Sequence, residues 1–100
     1  MFDDWRRDAV RKVDPPRAVV VRLSQVWPSD RLGWGRDTPL WVRAAGMEVR
    51  TEVPGLLHTW VLSSVGRWWP WVTFTVRSSN GELEFEVDQL VPAEAVRPVE

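Results

Sequence analysis

The chain has 100 residues, a formal net charge of −1 and no cysteine. This length suits a single domain with its own apolar core, and the missing cysteine excludes disulfide frameworks, thiol catalysis and cysteine-based zinc sites. Acidic and basic residues are interleaved, so the overall charge does not favour nucleic acid or an anionic membrane as a partner.

An amphipathic helix is predicted at residues 1–14, helical from about Asp3 to Val13. Its apolar residues fall on one face of the helix: Phe2, Trp5, Ala9 and Val13. Asp14-Pro15-Pro16 is predicted to end it. A helix this short is marginal alone in water, so we expect it to dock through Trp5 or to fray until a partner binds.

Residues 17–100 are predicted to form a β domain. A β-branched run predicts a first strand at residues 17–23, and a loop rich in helix and strand breakers follows at 27–39. Further strands are predicted at 40–44, 47–53 and 56–63, with a punctuating turn at Pro54-Gly55.

Asn80-Gly81 predicts a hairpin with a two-residue type I′ turn. The register expected from this turn places apolar pairs on one face of the hairpin: Val76 with Phe85, Phe74 with Val87, and Ser78 with Leu83. The other face then receives the polar pairs: Arg77 with Glu84, Thr75 with Glu86, and Thr73 with Asp88. Separation of apolar from polar residues in one register favours an antiparallel pair.

Two local patterns resemble the SH3-like family. Gly66-Arg67-Trp68-Trp69 is similar to the tandem tryptophans that open a central strand, and Leu90 to Val96 is similar to the closing segment, with its proline, tight helical turn and final valine. Five or six short strands separated by loops predict a small barrel or sandwich, and the resemblance favours a small SH3-like barrel of five to six antiparallel strands. The short N-terminal α-helix is predicted from the residue pattern alone. The resemblance also implies a ligand groove near Trp68 and Pro92, although Ala95 stands where that family has an aromatic residue and its N-terminal tyrosine-rich motif is absent.

The eight tryptophans are more than a core of this size needs, and a large ring with one polar N–H suits interfaces better than full burial. We therefore expect several to be partly exposed. Strand alternation would place Trp69 and Trp71 on one face and Trp68 on the other. These rings either plug the ends of a barrel or form, with Arg67, an aromatic platform for a partner, and Trp34 and Arg36 are further candidates for that surface.

Other residues with catalytic or metal-binding chemistry have simpler interpretations. The alternating acids at positions 82, 84, 86 and 88 could hold a hard cation or act as an acid and base, but such a run usually forms a solvated strand face. His58 is the only histidine, so it can form no histidine metal cluster. We expect no enzyme activity, no metal and no cofactor.

The sequence therefore favours a non-catalytic module that binds a protein or peptide. We expect it in the cytoplasm, because no segment predicts secretion or membrane insertion, and in a GC-rich bacterium, because arginine greatly outnumbers lysine and isoleucine is absent. The alternative is a nucleic-acid-binding barrel in which tryptophans stack on bases and arginines contact phosphates: Trp34, Trp68, Trp69 or Trp71 with Arg31, Arg36, Arg43 and Arg67. A third hypothesis is a homodimer in which the exposed tryptophans of the two copies bury each other.

Overall fold

The structure is a computed structural model that describes residues 9–27 and 39–99. These residues form strands, two short helices and a 3-10 turn in the following order: β1 (Val10–Arg22), α1 (Leu23–Val26), α2 (Leu40–Ala45), β2 (Glu52–Leu62), β3 (Trp68–Arg77), β4 (Glu84–Leu90), the 3-10 turn (Ala93–Ala95) and β5 (Val96–Pro98). The prediction of a mainly β domain is confirmed.

The strands form one antiparallel sheet in the order β4-β3-β2-β1-β5. The first four follow one another as a meander, and the chain then crosses so that Val96–Pro98 pairs with Val19–Val21 of β1. The two outer strands, β4 and β5, are not paired with each other. The described sheet is therefore open, and the closed barrel expected from the sequence is not confirmed.

The apolar core lies against one face of this sheet, which we call the core face. Alternation is clear in β3, where Val72, Phe74 and Val76 are buried while Thr75 and Arg77 are exposed on the opposite, outer face. The chain segments after β1 and β4 cover the core face, and both contribute buried side chains, including Leu23 and Ala95. The core is thus a single layer of strand residues capped by short, irregular segments.

The N-terminal helix prediction fails where it can be compared with the structure. Residues 1–8 lie outside the described residues, but Val10 to Val13 belong to β1 rather than to a helix. The backbone of Val10–Lys12 pairs with β2, and this tertiary pairing outweighs a weak local helical pattern. The prolines predicted to end the helix lie in a register irregularity of the strand, between Lys12 and Arg17.

Two strand predictions in the middle of the chain also need correction. Residues 40–44 were expected to be extended, but they belong to α2. From the predicted strand at 47–53, Met47 forms an isolated bridge with Ser78, and β2 begins only at Glu52. Pro54-Gly55 lies inside β2 and does not punctuate the chain, because Gly55 pairs with Phe74.

The β3–β4 hairpin has the predicted register, including the cross-strand pairs Val76 with Phe85 and Arg77 with Glu84. The turn type is different. Ser78 N–H donates to the Leu83 carbonyl, which leaves a loop at residues 79–82. Within this loop only Gly81 has a positive φ, of 78°, so Asn80 does not adopt the left-handed conformation that a type I′ turn requires.

The buried hydroxyl group of Ser78 holds this turn through two hydrogen bonds. The side chain of Ser78 is buried, its Oγ donates to Asn80 Oδ1 at 2.7 Å, and the same oxygen accepts from the Leu83 N–H at 3.1 Å. Replacement of Ser78 by alanine leaves both partners without this bond and should lower the free energy of unfolding by about 1–3 kcal/mol. Urea denaturation measures the change, with exposed Ser64→Ala as a control expected within about 0.5 kcal/mol of wild type. Equal losses in the two variants would contradict this role.

Candidate binding site

Several tryptophans are partly exposed, as their large number led us to expect. The six in the described ranges are Trp27, Trp41, Trp60, Trp68, Trp69 and Trp71, and none of them is buried. Trp71 and Trp41 are the most exposed, at 43% and 72% of their surface. The expectation of partly exposed tryptophans is therefore confirmed for this part of the chain. Trp5, Trp34 and Arg36 lie outside it.

The cluster Trp68-Trp69-Pro70-Trp71 is divided between the two faces of the sheet. Pro70 is buried on the core face, and strand alternation places Trp68 on that face too. Trp69 and Trp71 occupy the outer face, where Trp71 pairs with Leu90 of β4. The three rings therefore do not form one platform, and a partner that contacts Trp68 approaches from the side opposite to Trp71.

Trp68 contributes to a hollow at the end of the core face where β1 begins. The Arg11 guanidinium carbon lies over the Trp68 ring, 4.7 Å from its centroid. Arg11 is also the cross-strand neighbour of Trp60, which in turn pairs with Pro70. Arg11, Trp60 and Trp68 line an open hollow of about 330 Å³, which we call the tryptophan hollow. Its volume lies within the range of small-ligand and side-chain pockets.

The tryptophan hollow combines a guanidinium group with aromatic surface. A guanidinium over an indole is attracted by the ring quadrupole, and the Arg11 guanidinium also carries N–H groups that can donate to an acceptor. Trp60 packs against the core on one side and is half-buried, so a ligand meets an aromatic surface supported by the fold. Tryptophan and arginine are the residues most often found to dominate binding energy at protein interfaces.

A larger cavity, of about 560 Å³, lies towards the opposite end of the sheet. Its charged groups already have partners within the fold: Arg77 pairs with Glu84 at 2.8 Å, and Glu48 accepts a hydrogen bond from Ser79 Oγ at 3.1 Å. The cavity therefore offers a ligand few polar groups that are not engaged within the fold. We place the candidate site at the smaller tryptophan hollow for this reason.

The outer face around Trp71 is acidic. Its indole Nε1–H donates to Asp88 Oδ1, which uses the single polar atom of the ring. Glu86 and Glu84 continue the same face of β4 opposite Thr75 and Arg77. Carboxylates beside Trp71 repel phosphate, so this face does not suit a nucleic-acid backbone.

Arg67 and Pro92 lie at the end of the sheet that carries Trp68. Arg67 is exposed, and its guanidinium is 4.0 Å from a carboxylate oxygen of Glu94 in the 3-10 turn. Pro92 is half-buried just before that turn, where the Val91 N–H donates to the Pro70 carbonyl at 3.1 Å. The structure thus joins Arg67 to the closing segment, while its charge is engaged by Glu94.

Two residues of the tryptophan hollow, Arg11 and Trp60, were not predicted as site residues. The sequence placed Arg11 on a helix, and no local pattern shows that it lies opposite Trp60. Their contact depends on the β1–β2 register, which joins residues 49 positions apart in the chain. His58, in contrast, has the ordinary partner expected of it, since its Nε2 is 2.9 Å from Thr73 Oγ1.

The carboxyl groups with shifted pKa values lie away from the tryptophan hollow. The side-chain hydrogen bond and charge of Arg97 lower the pKa of Glu52, and the backbone N–H of Arg50 lowers that of Glu48. Residues 9–27 and 39–99 contain no group of three or more His, Asp or Glu side chains arranged for a metal ion. Within the same ranges, no helix has the length and apolar character to cross a membrane.

The tryptophan hollow has to be interpreted from its own residues, because comparison with protein-family models, curated proteins and solved structures finds no match for this chain.

Proposed function

We propose that this protein is a non-catalytic binding module that recognises a segment of a partner protein through the tryptophan hollow. The observation that carries this proposal is the Arg11 guanidinium stacked over half-buried Trp68, beside a second half-buried indole, Trp60. Among the described residues, the lining of this open hollow consists of these three side chains, which offer aromatic surface and hydrogen-bond donors together. A peptide segment uses both, with an apolar side chain in the hollow and an acceptor on Arg11.

We further propose that the domain is SH3-like and works in the cytoplasm of a GC-rich bacterium. The closing segment supports the fold: β4 ends at Leu90, a 3-10 turn covers Ala93–Ala95, and β5 returns to pair with β1. Of the groove positions implied by the resemblance, Trp68 lines the hollow, and Pro92 lies before the 3-10 turn that Arg67 contacts through Glu94. The excess of arginine over lysine and the absence of isoleucine support a GC-rich bacterium as the source.

The proposal is tested by comparing the two faces of the sheet. We expect Trp68→Ala to lose the partners that the wild-type protein captures from an extract of its source organism. Affinity for an isolated partner should fall about 30-fold or more, as for a residue that dominates an interface. Trp71→Ala removes a ring three positions along the same strand but on the outer face, and it should retain the partners.

Two controls make this comparison decisive. Near-UV circular dichroism and urea denaturation establish that both variants are folded, and captured material is analysed with and without nuclease treatment. Identical partner lists for the wild type and Trp68→Ala would contradict the proposal. Capture that is abolished by nuclease and weakens steeply with salt would favour the nucleic-acid alternative instead.

A further inference from the structure

We propose that the ligand of the tryptophan hollow is an acidic peptide segment, with a carboxylate placed on Arg11 and an apolar side chain packed against Trp60 and Trp68. This inference rests on the proposed function and specifies the chemistry of the partner. It follows from the way in which the unpaired charges of the fold are divided between β1 and β4.

Most cations in the described residues are paired with carboxylates inside the fold. Those with no carboxylate within 4.0 Å are Arg11, Lys12, Arg17 and Arg43. All of these except Arg43 lie on one short stretch of β1. That stretch contains a single carboxylate, Asp14, which forms no ion pair. The start of β1 therefore carries positive charge that the described residues do not neutralise.

Two of these cations lie on the same face as the hollow. Arg11 is opposite Trp60, and Arg17 is opposite buried Leu57, so both belong to the core face of β1. Lys12 is opposite Thr59, and alternation places it on the outer face. A guanidinium binds a carboxylate through two parallel hydrogen bonds, which makes Arg11 and Arg17 a suitable pair of donors for acidic side chains.

The carboxylates without a cationic partner lie mainly at the other edge of the sheet. Glu82 precedes β4 and Glu86 lies within it, and two strands, β2 and β3, separate β4 from β1. At about 4.8 Å between neighbouring strands, β4 and β1 are roughly 14 Å apart. This exceeds the screening length of about 8 Å at physiological salt, so the acidic edge does not neutralise Arg11 or Arg17.

Within residues 9–27 and 39–99, the backbone next to Arg11 also has one side without a strand partner. Val10–Lys12 pairs with β2 on one side, whereas β5 reaches only Val19–Val21 on the other. No described strand lies beside Val10–Lys12 on that second side. An extended peptide can therefore run next to β1 and reach the hollow with alternate side chains.

The test uses capped synthetic peptides with a central phenylalanine between two prolines. One carries two flanking glutamates, and its twins carry glutamines or lysines at the same positions. Isothermal titration calorimetry at physiological salt should show the glutamate peptide binding about tenfold more tightly than the glutamine twin, the gain typical of a charge-assisted hydrogen bond. The lysine twin should bind most weakly.

Matched variants locate the effect. Arg11→Gln should reduce affinity for the glutamate peptide to that of the glutamine twin. Arg17→Gln, at an exposed position, should also weaken binding of the glutamate peptide, while the peptide's apolar side chain still packs against Trp68. Lys12→Gln, on the same strand but on the outer face, should stay within about twofold of wild type, as expected for an exposed charge remote from the ligand. Arg43→Gln is a second control, because Arg43 is an exposed cation in α2.

Several outcomes would overturn the inference. Equal binding of the glutamate and glutamine peptides, both lost in Trp68→Ala, would refute the acidic ligand but leave the hollow as the binding site. Failure of all the peptides to bind would refute this ligand class, and unchanged partner capture by Trp68→Ala would refute the proposed function itself. Self-association in sedimentation that Arg11→Gln abolishes would identify a second copy as the occupant. Tighter binding of a single-stranded oligonucleotide at the same residues would identify nucleic acid.

Discussion

Replacement of Phe74 by alanine is expected to lower the free energy of unfolding by about 3–5 kcal/mol. Phe74 is 4% exposed, and its ring centroid lies 5.9 Å from that of Trp27, at the end of α1. The substitution removes most of a large core side chain and the aromatic contact with the segment that covers the sheet. Because a small domain has only about 5–15 kcal/mol of stability, this loss is a large fraction of the total.

Urea denaturation followed by far-UV circular dichroism measures this loss. Thr75→Ala is the matched control, because Thr75 is the next residue of β3 but lies exposed on the outer face. It should change the free energy of unfolding by no more than about 0.5 kcal/mol. A Phe74→Ala variant with near wild-type stability would show that the core is not built around the contact between β3 and Trp27.

Replacement of Gly55 by valine should destabilise the protein by about 1–3 kcal/mol, through crowding in a packed core. A Cβ atom at this position would lie 2.8 Å from the Thr73 carbonyl oxygen and 3.0 Å from Val21 Cγ2. The first of these is a backbone atom of the neighbouring strand, which cannot move aside without disturbing the β2–β3 pairing. The clash outweighs the preference of valine for strands.

Thermal unfolding of Gly55→Val tests this expectation against Leu56→Val. Leu56 is the next residue of β2, is 44% exposed and lies on the outer face, so its variant should remain close to wild type. An increase in stability for Gly55→Val would mean that strand propensity dominates and that the described approach of β3 to Gly55 is wrong.

The tryptophan hollow is formed by residues that are distant in the chain. Arg11, Trp60 and Trp68 come from three different strands, and only the β1–β2 and β2–β3 registers bring them together. The cluster Trp68-Trp69-Pro70-Trp71 is divided between the two faces of the sheet, and its rings have different neighbours. Trp68 lies beside Arg11, whereas Trp71 is hydrogen-bonded to Asp88. This contrast makes single substitutions on the two faces informative.

Sequence reasoning succeeded where the determining interactions are local. The β3–β4 register follows from one turn dipeptide and from the apolar and polar alternation on either side of it, and both signals lie within residues 73–88. The turn type was not predictable in the same way. The turn is held by the buried Ser78 hydroxyl and by contacts with the preceding segment, including the bond from Asn80 N–H to the Ala44 carbonyl.

The sequence by itself determined a mainly β domain, the pairing of β3 with β4, the tight turn before β5 and the presence of tryptophans at the surface. These features depend on the alternation of apolar and polar residues in strands, on turn residues, and on the presence of more indole rings than a small core can accommodate. Only the tertiary structure decided that Val10–Val13 is a strand, that Gly55 lies inside a packed sheet and that Arg11 stacks on Trp68. Each of these depends on backbone pairing between distant segments, whose free energy exceeds the local preferences that a short stretch of sequence expresses.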